Sequence, residues 1–585
     1  TPLVGNWWLA RVKDREGYKR LAWMEPRIVG NKVEIRIRDL NKELGDKAIR
    51  KAKVEGLKVT VNGKEFRVPE SNIEARRELA TCLHCNQSIM QIDPETGKHY
   101  TNTKNLPEPI KNRLEGYVKF ALKLYNKAYG LEESIPIPAR IGEIPVRLRL
   151  LVKVKVQDGN LIFESCSEED QEKLENARQE IKKLLQTNDP DVPRERISPY
   201  SVRYLFPILY GINEWYKLFN PRQLFTLIKL TKLIRDAGKR IEKEKLEEFD
   251  EGNAFTFAEA VTVYLAIALI SMADFNSITS RWAPHAWTKV NRAFTHRGIA
   301  MIWNWCDVSP LHKYIGTWNN CLQNVVDGIE YLVSAFCNTF GSYDGKKNLN
   351  RNLKVLLDDA TTLIKLGFEE KVDVIITDPP YYDDVPYTEL SDFYYVWLKR
   401  VLSDVYDNRL IPRFLPEAFF EKINDDWVEV LTQWEKYSLN EVSLNPARLG
   451  LNAKLKDGIM HFQNLLNSAF ITMTSKLQND GLLVTYYAHT DPDAWKALLE
   501  AGWAAAGLQV SNAFPLTTES AQSVVKQGKL SMDTSIIVVW RKGGQGSIEA
   551  SQLYEEMVNA ATGRARELMD MGAVGRDLVI GTLAA

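Results

Sequence analysis

The chain from about residue 350 onwards alternates short apolar runs with longer segments of helical periodicity. Strands joined by helices, without polar alternation in the strands, predict a largely parallel sheet that is buried on both faces. Ligands of such sheets bind beyond the carboxyl ends of the strands, so chemistry is expected there. The predicted strands are Leu353–Leu357, Val372–Thr377, Leu482–Tyr487, Leu508–Phe514 and Ser535–Trp540, and the helices include Leu390–Leu402, Asp457–Leu477 and Pro492–Ala501.

The chain before residue 350 lacks this alternation of strands and helices and divides into several predicted regions. Alternation over Asn31–Arg38 predicts a strand, and Gly56–Val68 predicts a hairpin that turns at Asn62-Gly63. Because 585 residues exceed what one hydrophobic core supports, several domains are expected. The predicted regions are a zinc-ribbon-like β-rich insert (1–108), a mixed α/β connector (109–199), a helical domain that is a candidate for target recognition (200–345), a catalytic half (346–545) and a C-terminal helical extension (546–585).

The amino-acid composition indicates the cellular environment of the protein but not its function. Lys+Arg and Asp+Glu both number 76, and this balance neither indicates nor excludes a nucleic-acid partner. Six scattered cysteines predict a reducing, cytoplasmic environment. The apolar run Ala258–Phe275 contains Glu259 and Asp274 and predicts a buried helix, so no membrane partner is expected. The chain starts at Thr1 without an initiator Met, which is expected of a fragment, a processed form or a split-gene product.

The strongest chemical motif is Asp378-Pro379-Pro380-Tyr381, which directly follows the predicted strand Val372–Thr377. The two prolines restrict the backbone, so the Asp378 carboxylate and the Pro379 carbonyl are held as two acceptors at the mouth of the sheet. Two acceptors that bind the N–H groups of a conjugated amine free its lone pair for attack on a sulfonium methyl group. Tyr381 offers a flat face on which an extruded base can stack. The alternative is a Pro-Pro turn with Tyr381 as packing.

Other polar residues each have more than one interpretation. Asp358 and Asp359 follow the predicted strand Leu353–Leu357, where an acid suits the adenine amine of a cofactor or caps the next helix. Asp392 and Phe393 fit a base pocket or, equally, a helix-terminal acid and a core aromatic. Arginines beside aromatic residues fit phosphate contact, base stacking or internal ion pairing; these are Arg222, Arg281 and Arg297.

The sequence resembles the Zn-ribbon-containing adenine-specific DNA methylases over most of its length. The longest match is the segment from Asp378 to Arg400, DPPYYDDVPYTELSDFYYVWLKR. The other segments that carry the resemblance are Trp215–Gln223, Ala273–Ser277 with Arg281-Trp282, Phe294–Pro310 and the opening Thr1–Val4 with Trp7–Leu9.

The resemblance implies a class I, Rossmann-like methyltransferase fold that transfers a methyl group from S-adenosylmethionine to N6 of a flipped-out adenine in DNA. It places Asp378, Pro379, Pro380 and Tyr381 in catalysis, Asp358, Asp359 and Asp378 at the cofactor, and Tyr381, Tyr382, Asp392 and Phe393 at the base. Restriction-modification or phage defence is the implied setting. The family's Gly-rich cofactor motif does not occur in this sequence, so an N-terminal segment or a separate subunit is expected to supply it.

Cys82 and Cys85 have the spacing of half a zinc ribbon, and a structural zinc site needs four ligands. In the family a first Cys-x-x-Cys precedes the position that matches Thr1, so zinc is expected mainly in an intact assembly. The alternative interpretation is that Cys82 and Cys85 are two ordinary cysteines in a turn, without a metal.

Two alternative functions remain open on the sequence. One is methyl transfer to RNA or to a protein amide. The other is a non-catalytic DNA-binding subunit of a split methyltransferase, against which the retained Asp378–Tyr381 motif argues.

Overall fold

A computed structural model describes the protein over residues 1–74, 79–89, 91–100, 102–128, 148–202, 204–285, 288–294, 298–340, 354–367, 371–382, 385–450, 452–489, 491–517, 534–543 and 550–570, with residues 578 and 582. Within these ranges the fold is mixed α/β, with 14 helices and several small sheets.

The strands are, in chain order, β1 (Trp8–Asp14), β2 (Gly17–Val29), β3 (Lys32–Asp39), β4 (Lys53–Glu55), β5 (Lys58–Val61), β6 (Lys64–Arg67), β7 (Ile73–Glu74), β8 (Leu79–Thr81), β9 (Ser88–Ile89), β10 (Gln91–Ile92), β11 (His99–Tyr100), β12 (Glu115–Gly116), β13 (Val152–Gln157), β14 (Asn160–Ser165), β15 (Arg281–Ala283), β16 (Lys289–Asn291), β17 (Val372–Thr377), β18 (Asp404–Tyr406), β19 (Arg409–Ile411), β20 (Phe420–Ile423), β21 (Asp426–Glu429), β22 (Leu477–Tyr487), β23 (Leu508–Thr517) and β24 (Thr534–Lys542).

The α-helices are α1 (Leu40–Leu44), α2 (Asp46–Arg50), α3 (Glu108–Lys111), α4 (Tyr117–Ala128), α5 (Glu168–Gln186), α6 (Pro221–Lys245), α7 (Glu251–Phe275), α8 (Trp318–Phe340), α9 (Tyr387–Leu402), α10 (Pro416–Phe419), α11 (Gln433–Tyr437), α12 (Leu455–Lys476), α13 (Pro492–Leu499) and α14 (Ala550–Asp570). A π-helical turn, Glu500–Ala505, continues α13.

The chain divides into two compact units. Unit 1 comprises Thr1–Thr295, Ile299–Ser342 and Ser391–Thr432, and unit 2 comprises His296–Gly298, Tyr343–Leu390 and Gln433–Ala585.

The N-terminal part of unit 1 is built on small antiparallel sheets. β1, β2 and β3 form a meander, and the predicted hairpin is confirmed as β5 and β6, which turn at Asn62-Gly63. Both turn residues have positive φ, 49° and 79°, as a two-residue hairpin loop of this type requires. Trp7 and Trp23 are fully buried in the core of this part.

The helical part of unit 1 packs α6 against α7 and α7 against α8. Asn220 caps α6 in a reciprocal hydrogen-bond pair with Gln223, and Pro221 occupies the first helical turn. α7 has a mean hydropathy of 1.8 over its most apolar 18 residues, so by length and composition it is the one helix among the described residues that could cross a membrane. A single such helix is weak evidence for a membrane, and this one packs against two others.

Unit 2 contains a four-stranded sheet of order β17-β22-β24-β23. β17 and β22 are parallel, whereas β24 lies antiparallel between β22 and β23. Three of the four strands, β17, β22 and β23, therefore run in the same direction, as a largely parallel sheet requires, and β24 alone runs against them. The run that forms β24 follows β23 without a described helix between them and returns beside it, which apolar periodicity does not reveal. The predicted helices of this region are confirmed as α9, α12 and α13.

The two faces of this sheet differ. One face, which includes Leu483, Val538 and Trp540, is buried under α12, α13 and the π-helical turn. On the other face Val374 and Ile376 of β17 are 49% and 67% exposed. The prediction that β17 is buried is therefore wrong. β17 is an edge strand of the described sheet, and no described residues cover its second face.

The predicted strand Leu353–Leu357 is not a strand. Leu353 lies outside the described residues, and residues 354–357 belong to no strand of the described sheets. Val355 and Leu357 are 90% and 71% exposed, although both are apolar. A strand needs a neighbouring backbone that runs alongside it, and no described strand pairs with residues 355–357.

Candidate active site

The Asp378–Tyr381 motif lies at the carboxyl edge of the unit 2 sheet. β17 ends at Thr377, which pairs with Thr485 two residues before the end of β22. Because β17 and β22 are parallel, the loop that follows β17 emerges beside the residues that follow β22. This is the position at which ligands bind in open α/β sheets.

The Asp378 carboxylate is exposed but anchored. Its Oδ1 atom accepts a hydrogen bond of 2.7 Å from the Tyr381 hydroxyl. Oδ2 of Asp378 and the Pro379 carbonyl accept no hydrogen bond from the described residues. The motif therefore presents two open acceptors at the end of β17, one of them on a side chain whose other oxygen is fixed.

The Tyr381 ring is half-buried and held at its edge. It packs perpendicular to the Tyr487 ring, with ring centres 5.6 Å apart and an interplanar angle of 84°. Burial, together with the hydrogen bond and the charge of Asp378, raises the pKa of the Tyr381 hydroxyl, whereas a hydrogen bond with Ser535 opposes the increase. Tyr381 is therefore a neutral donor at physiological pH.

Tyr382 directly follows the motif and lies in a turn. Its φ is 59°, a left-handed conformation that is rare for a large side chain, and its N–H donates to the Pro380 carbonyl at 3.0 Å. The buried ring packs edge-on against Phe462 and lies 5.8 Å from the His489 ring. Packing of the ring thus holds a strained backbone next to the motif, a combination that clusters at functional sites.

A buried hydroxyl lies beside Asp378. Oγ1 of Thr377 is buried and has no hydrogen-bond partner among the described residues.

Asp358 and Asp359 both act within their own turn. Asp359 Oδ1 accepts from the backbone N–H of Thr361 at 2.8 Å and from its hydroxyl at 2.6 Å. Asp358 Oδ2 accepts from the Lys365 N–H at 2.7 Å. Neither carboxylate contacts the Asp378–Tyr381 motif through a hydrogen bond in the described chain. The turn and the motif do pack against the same hydrophobic core, the turn through Leu363 and the motif through Tyr381.

Asp392 and Phe393 lie on α9 and belong to unit 1. Both are fully buried. The Phe393 ring stacks on Phe219 at 5.8 Å and meets Trp215 and Phe294 edge-on. This environment is that of a core aromatic residue, the second of the two interpretations that the sequence allowed.

Sequence reasoning missed a buried ionic cluster at the start of α9. Glu441 accepts hydrogen bonds from the N–H groups of Tyr387 and Thr388, at 3.1 and 2.6 Å. Arg448 Nε donates to Glu389 at 2.8 Å, and its Nη2 lies 3.2 Å from Glu441. Burial alone would lower the pKa of the Arg448 guanidinium, but these two carboxylates raise it. No sequence signal links three residues this far apart.

Cys82 and Cys85 lie in a tight turn of unit 1. The Cys82 carbonyl accepts from the Asn86 N–H at 2.8 Å, and the Cys82 thiol lies 3.2 Å from the Thr1 hydroxyl. No group of three or more His, Cys, Asp or Glu side chains suited to a metal occurs among the described residues. A structural zinc site needs four ligands, and the described residues do not assemble such a set around the cysteine pair.

Comparisons with protein-family models, with curated proteins and with solved structures each gave no match to this chain.

Proposed function

We propose that this chain is the catalytic half of a cytoplasmic, S-adenosylmethionine-dependent DNA methyltransferase that acts on N6 of a flipped-out adenine. The observation that carries the proposal is the pair of open acceptors, Oδ2 of Asp378 and the carbonyl of Pro379, at the carboxyl end of β17. The strand order of unit 2 and the resemblance over Asp378–Arg400 support the same reading, in which the sheet is the later part of a class I methyltransferase sheet.

The proposed chemistry uses the acceptors as a pair. They bind the two N–H groups of the adenine amine, draw it towards a tetrahedral shape and direct its lone pair at the incoming methyl group. S-adenosylmethionine supplies that methyl group as an electrophilic sulfonium when it is bound. As the N–C bond forms, the bond between the methyl group and sulfur would break and leave a neutral thioether, and the methylated amine, which becomes acidic, would pass its proton to the Asp378 carboxylate or to solvent, so no strong base is required. Tyr381 orients the carboxylate through its hydroxyl and offers its ring to the base.

The exposed apolar face of the unit 2 sheet supports the proposal that a further segment or subunit covers it. Val374 and Ile376 expose apolar side chains on β17, and apolar Val355 and Leu357 are exposed in the segment that precedes it. Sheets of the α/β class bury both faces, so the described residues constitute part of a larger layer structure. We assign the remaining layer, including the Gly-rich cofactor motif, to an N-terminal segment or a separate subunit.

Zinc belongs to the same assembly in this proposal. Cys82 and Cys85 would supply two of its four ligands. Two further cysteines from the proposed N-terminal segment or separate subunit would complete a tetrahedral set of four.

The proposal is tested by titration calorimetry of S-adenosylmethionine against the chain alone and against the chain co-expressed with the polypeptide that is encoded upstream. Binding only in the second case is the expected result. Absence of binding in both cases would refute the methyltransferase assignment.

A further inference from the structure

A cavity of about 240 Å³ lies in the helical part of unit 1. Three of the segments that carry the family resemblance meet there: Trp215–Gln223, Ala273–Ser277 and Phe294–Pro310. They are separate segments of the chain, and the reaction centre uses none of them. The residues that line the cavity and matter for its chemistry are Arg222, Thr226, Met272, Asn276, Asp307 and Ser309.

The walls of the cavity are fixed by hydrogen bonds. Asn276 is buried; its side-chain oxygen accepts from the Val308 N–H at 2.7 Å and its Nδ2 donates to the Gly316 carbonyl at 3.0 Å. Gln223 Nε2 donates to the Cys306 carbonyl at 2.8 Å. These bonds attach the 306–308 segment to the start of α6 and the end of α7, so the cavity is preformed.

An ion pair in the lining has open hydrogen-bonding atoms. Oδ2 of Asp307 accepts from Nε and Nη2 of Arg222, at 3.1 and 2.7 Å, and from Nδ2 of Asn220 at 3.2 Å. Oδ1 of Asp307 accepts nothing, and Nη1 of Arg222 donates nothing, within the described part of the chain. The cavity therefore has one open acceptor and one open donor on side chains that contact each other and have no net charge together.

This arrangement selects against ions. A phosphate would meet the Asp307 carboxylate, and a cation would meet the Arg222 guanidinium. A neutral planar molecule that carries both donors and acceptors can use both atoms without a charge conflict, and every nucleobase carries both. The volume is below the roughly 300 Å³ at which pockets for drug-sized ligands begin, and the Met272 thioether is a favourable neighbour for an aromatic ring.

We propose that this cavity binds a single nucleobase, as a second base site apart from the Asp378–Tyr381 motif. The base comes from an unpaired nucleotide of DNA or from a free nucleotide, since both present the same edge and ring. The proposal does not depend on methyl transfer, because the binding atoms belong to unit 1 alone.

The test is binding of the full chain, without S-adenosylmethionine, to two fluorescent single-stranded oligonucleotides of equal length. One carries bases and the other is abasic, so their phosphate charge is the same. Thr226→Trp fills the cavity, and Leu233→Trp is its matched control, because Leu233 is 60% exposed on the same helix. Asp307→Asn is a second variant that retains the volume of the side chain while changing the acceptor.

Wild type and Leu233→Trp are expected to prefer the base-bearing strand by about tenfold, and Thr226→Trp and Asp307→Asn are expected to lose that preference. Binding of free nucleosides by wild type but not Thr226→Trp, without a preference between the strands, would support the base site and identify the free nucleotide as its source. The proposal is overturned if wild type binds neither ligand selectively, or if both cavity variants bind like wild type.

Discussion

The Tyr381 hydroxyl donates a 2.7 Å hydrogen bond to Oδ1 of Asp378, three residues earlier in the same loop. This bond joins the two groups that the proposed reaction requires, a ring for the base and an acceptor for its amine. The rigid Pro379-Pro380 segment between them limits how either can move. The consequence is that the open Oδ2 atom has a defined direction even though the carboxylate is exposed.

Replacement Tyr381→Phe removes this bond and retains the ring. In the assembled enzyme we expect the single-turnover rate of methyl transfer to fall by about tenfold to a hundredfold, since hydrogen bonds to charged groups contribute about 1.5–3 kcal/mol. DNA affinity should change little, because the stacking surface remains. Tyr486→Phe is the control, as its hydroxyl makes no hydrogen bond among the described residues and its rate should match wild type. An unchanged rate in Tyr381→Phe would show that the Tyr381 hydroxyl does not position the Asp378 carboxylate for the reaction.

The two faces of the unit 2 sheet should respond differently to the same substitution. Val538→Thr places a hydroxyl in the buried core and should lower the free energy of unfolding by about 1–3 kcal/mol. Val374→Thr changes a half-exposed position on the open face and should shift it by less than about 0.5 kcal/mol. Urea denaturation of the isolated chain measures both. Equal losses would mean that the open face is covered in solution.

Arg448→Met should destabilise the start of α9. It leaves the buried carboxylates of Glu389 and Glu441 without their cation, and breaking a buried pair on one side costs about 3–5 kcal/mol. Adding Glu389→Gln to this variant should restore part of the loss. The exposed pair Lys58–Glu65 is the control, and Lys58→Met should change the midpoint of thermal unfolding only slightly. A mild effect of Arg448→Met would show that the cluster is not structural.

Unit 1 should lose stability in acid through Glu195. Burial raises the pKa of this carboxyl, but the charges of Arg400 and Lys399 outweigh burial and hold the pKa below its ordinary value. A carboxyl with a lowered pKa in the folded state stabilises fully above its unfolded pKa of about 4.3, and this contribution is lost as the pH falls further.

The stability difference between wild type and Glu195→Gln should therefore be large at neutral pH and shrink as the pH falls below about 4.3. Urea denaturation at several pH values measures it, with the exposed Glu65→Gln as a control for general acid effects. A difference that stays constant with pH would contradict the assignment.

Apolar periodicity predicted local elements well. It identified the helices α9, α12 and α13 and the hairpin of β5 and β6, because each depends on residues within one segment. It failed for Lys354–Leu357, since an apolar run becomes a strand only beside another backbone. The antiparallel placement of β24 was missed for the same reason, because register and direction depend on distant partners.

For the candidate site, too, the features that depend on local sequence could be predicted and those that depend on distant residues could not. The Asp378 acceptors and their place at the end of β17 follow from strand length and two prolines, both of which are local signals. The roles of Asp358 and Asp359 as turn acceptors, and the burial of Phe393 among aromatic rings, depend on the folded chain. The Glu389–Arg448–Glu441 cluster had no sequence signal, because ion pairs between distant segments leave none.

The most direct test of the central claim is mass spectrometry of nucleosides from DNA treated with S-adenosylmethionine and the co-expressed assembly. Wild type is predicted to produce N6-methyladenine, whereas Asp378→Ala should produce none while retaining DNA affinity. Methylation at the wild-type level by Asp378→Ala, or its absence in a wild-type assembly that binds both cofactor and DNA, would contradict the account.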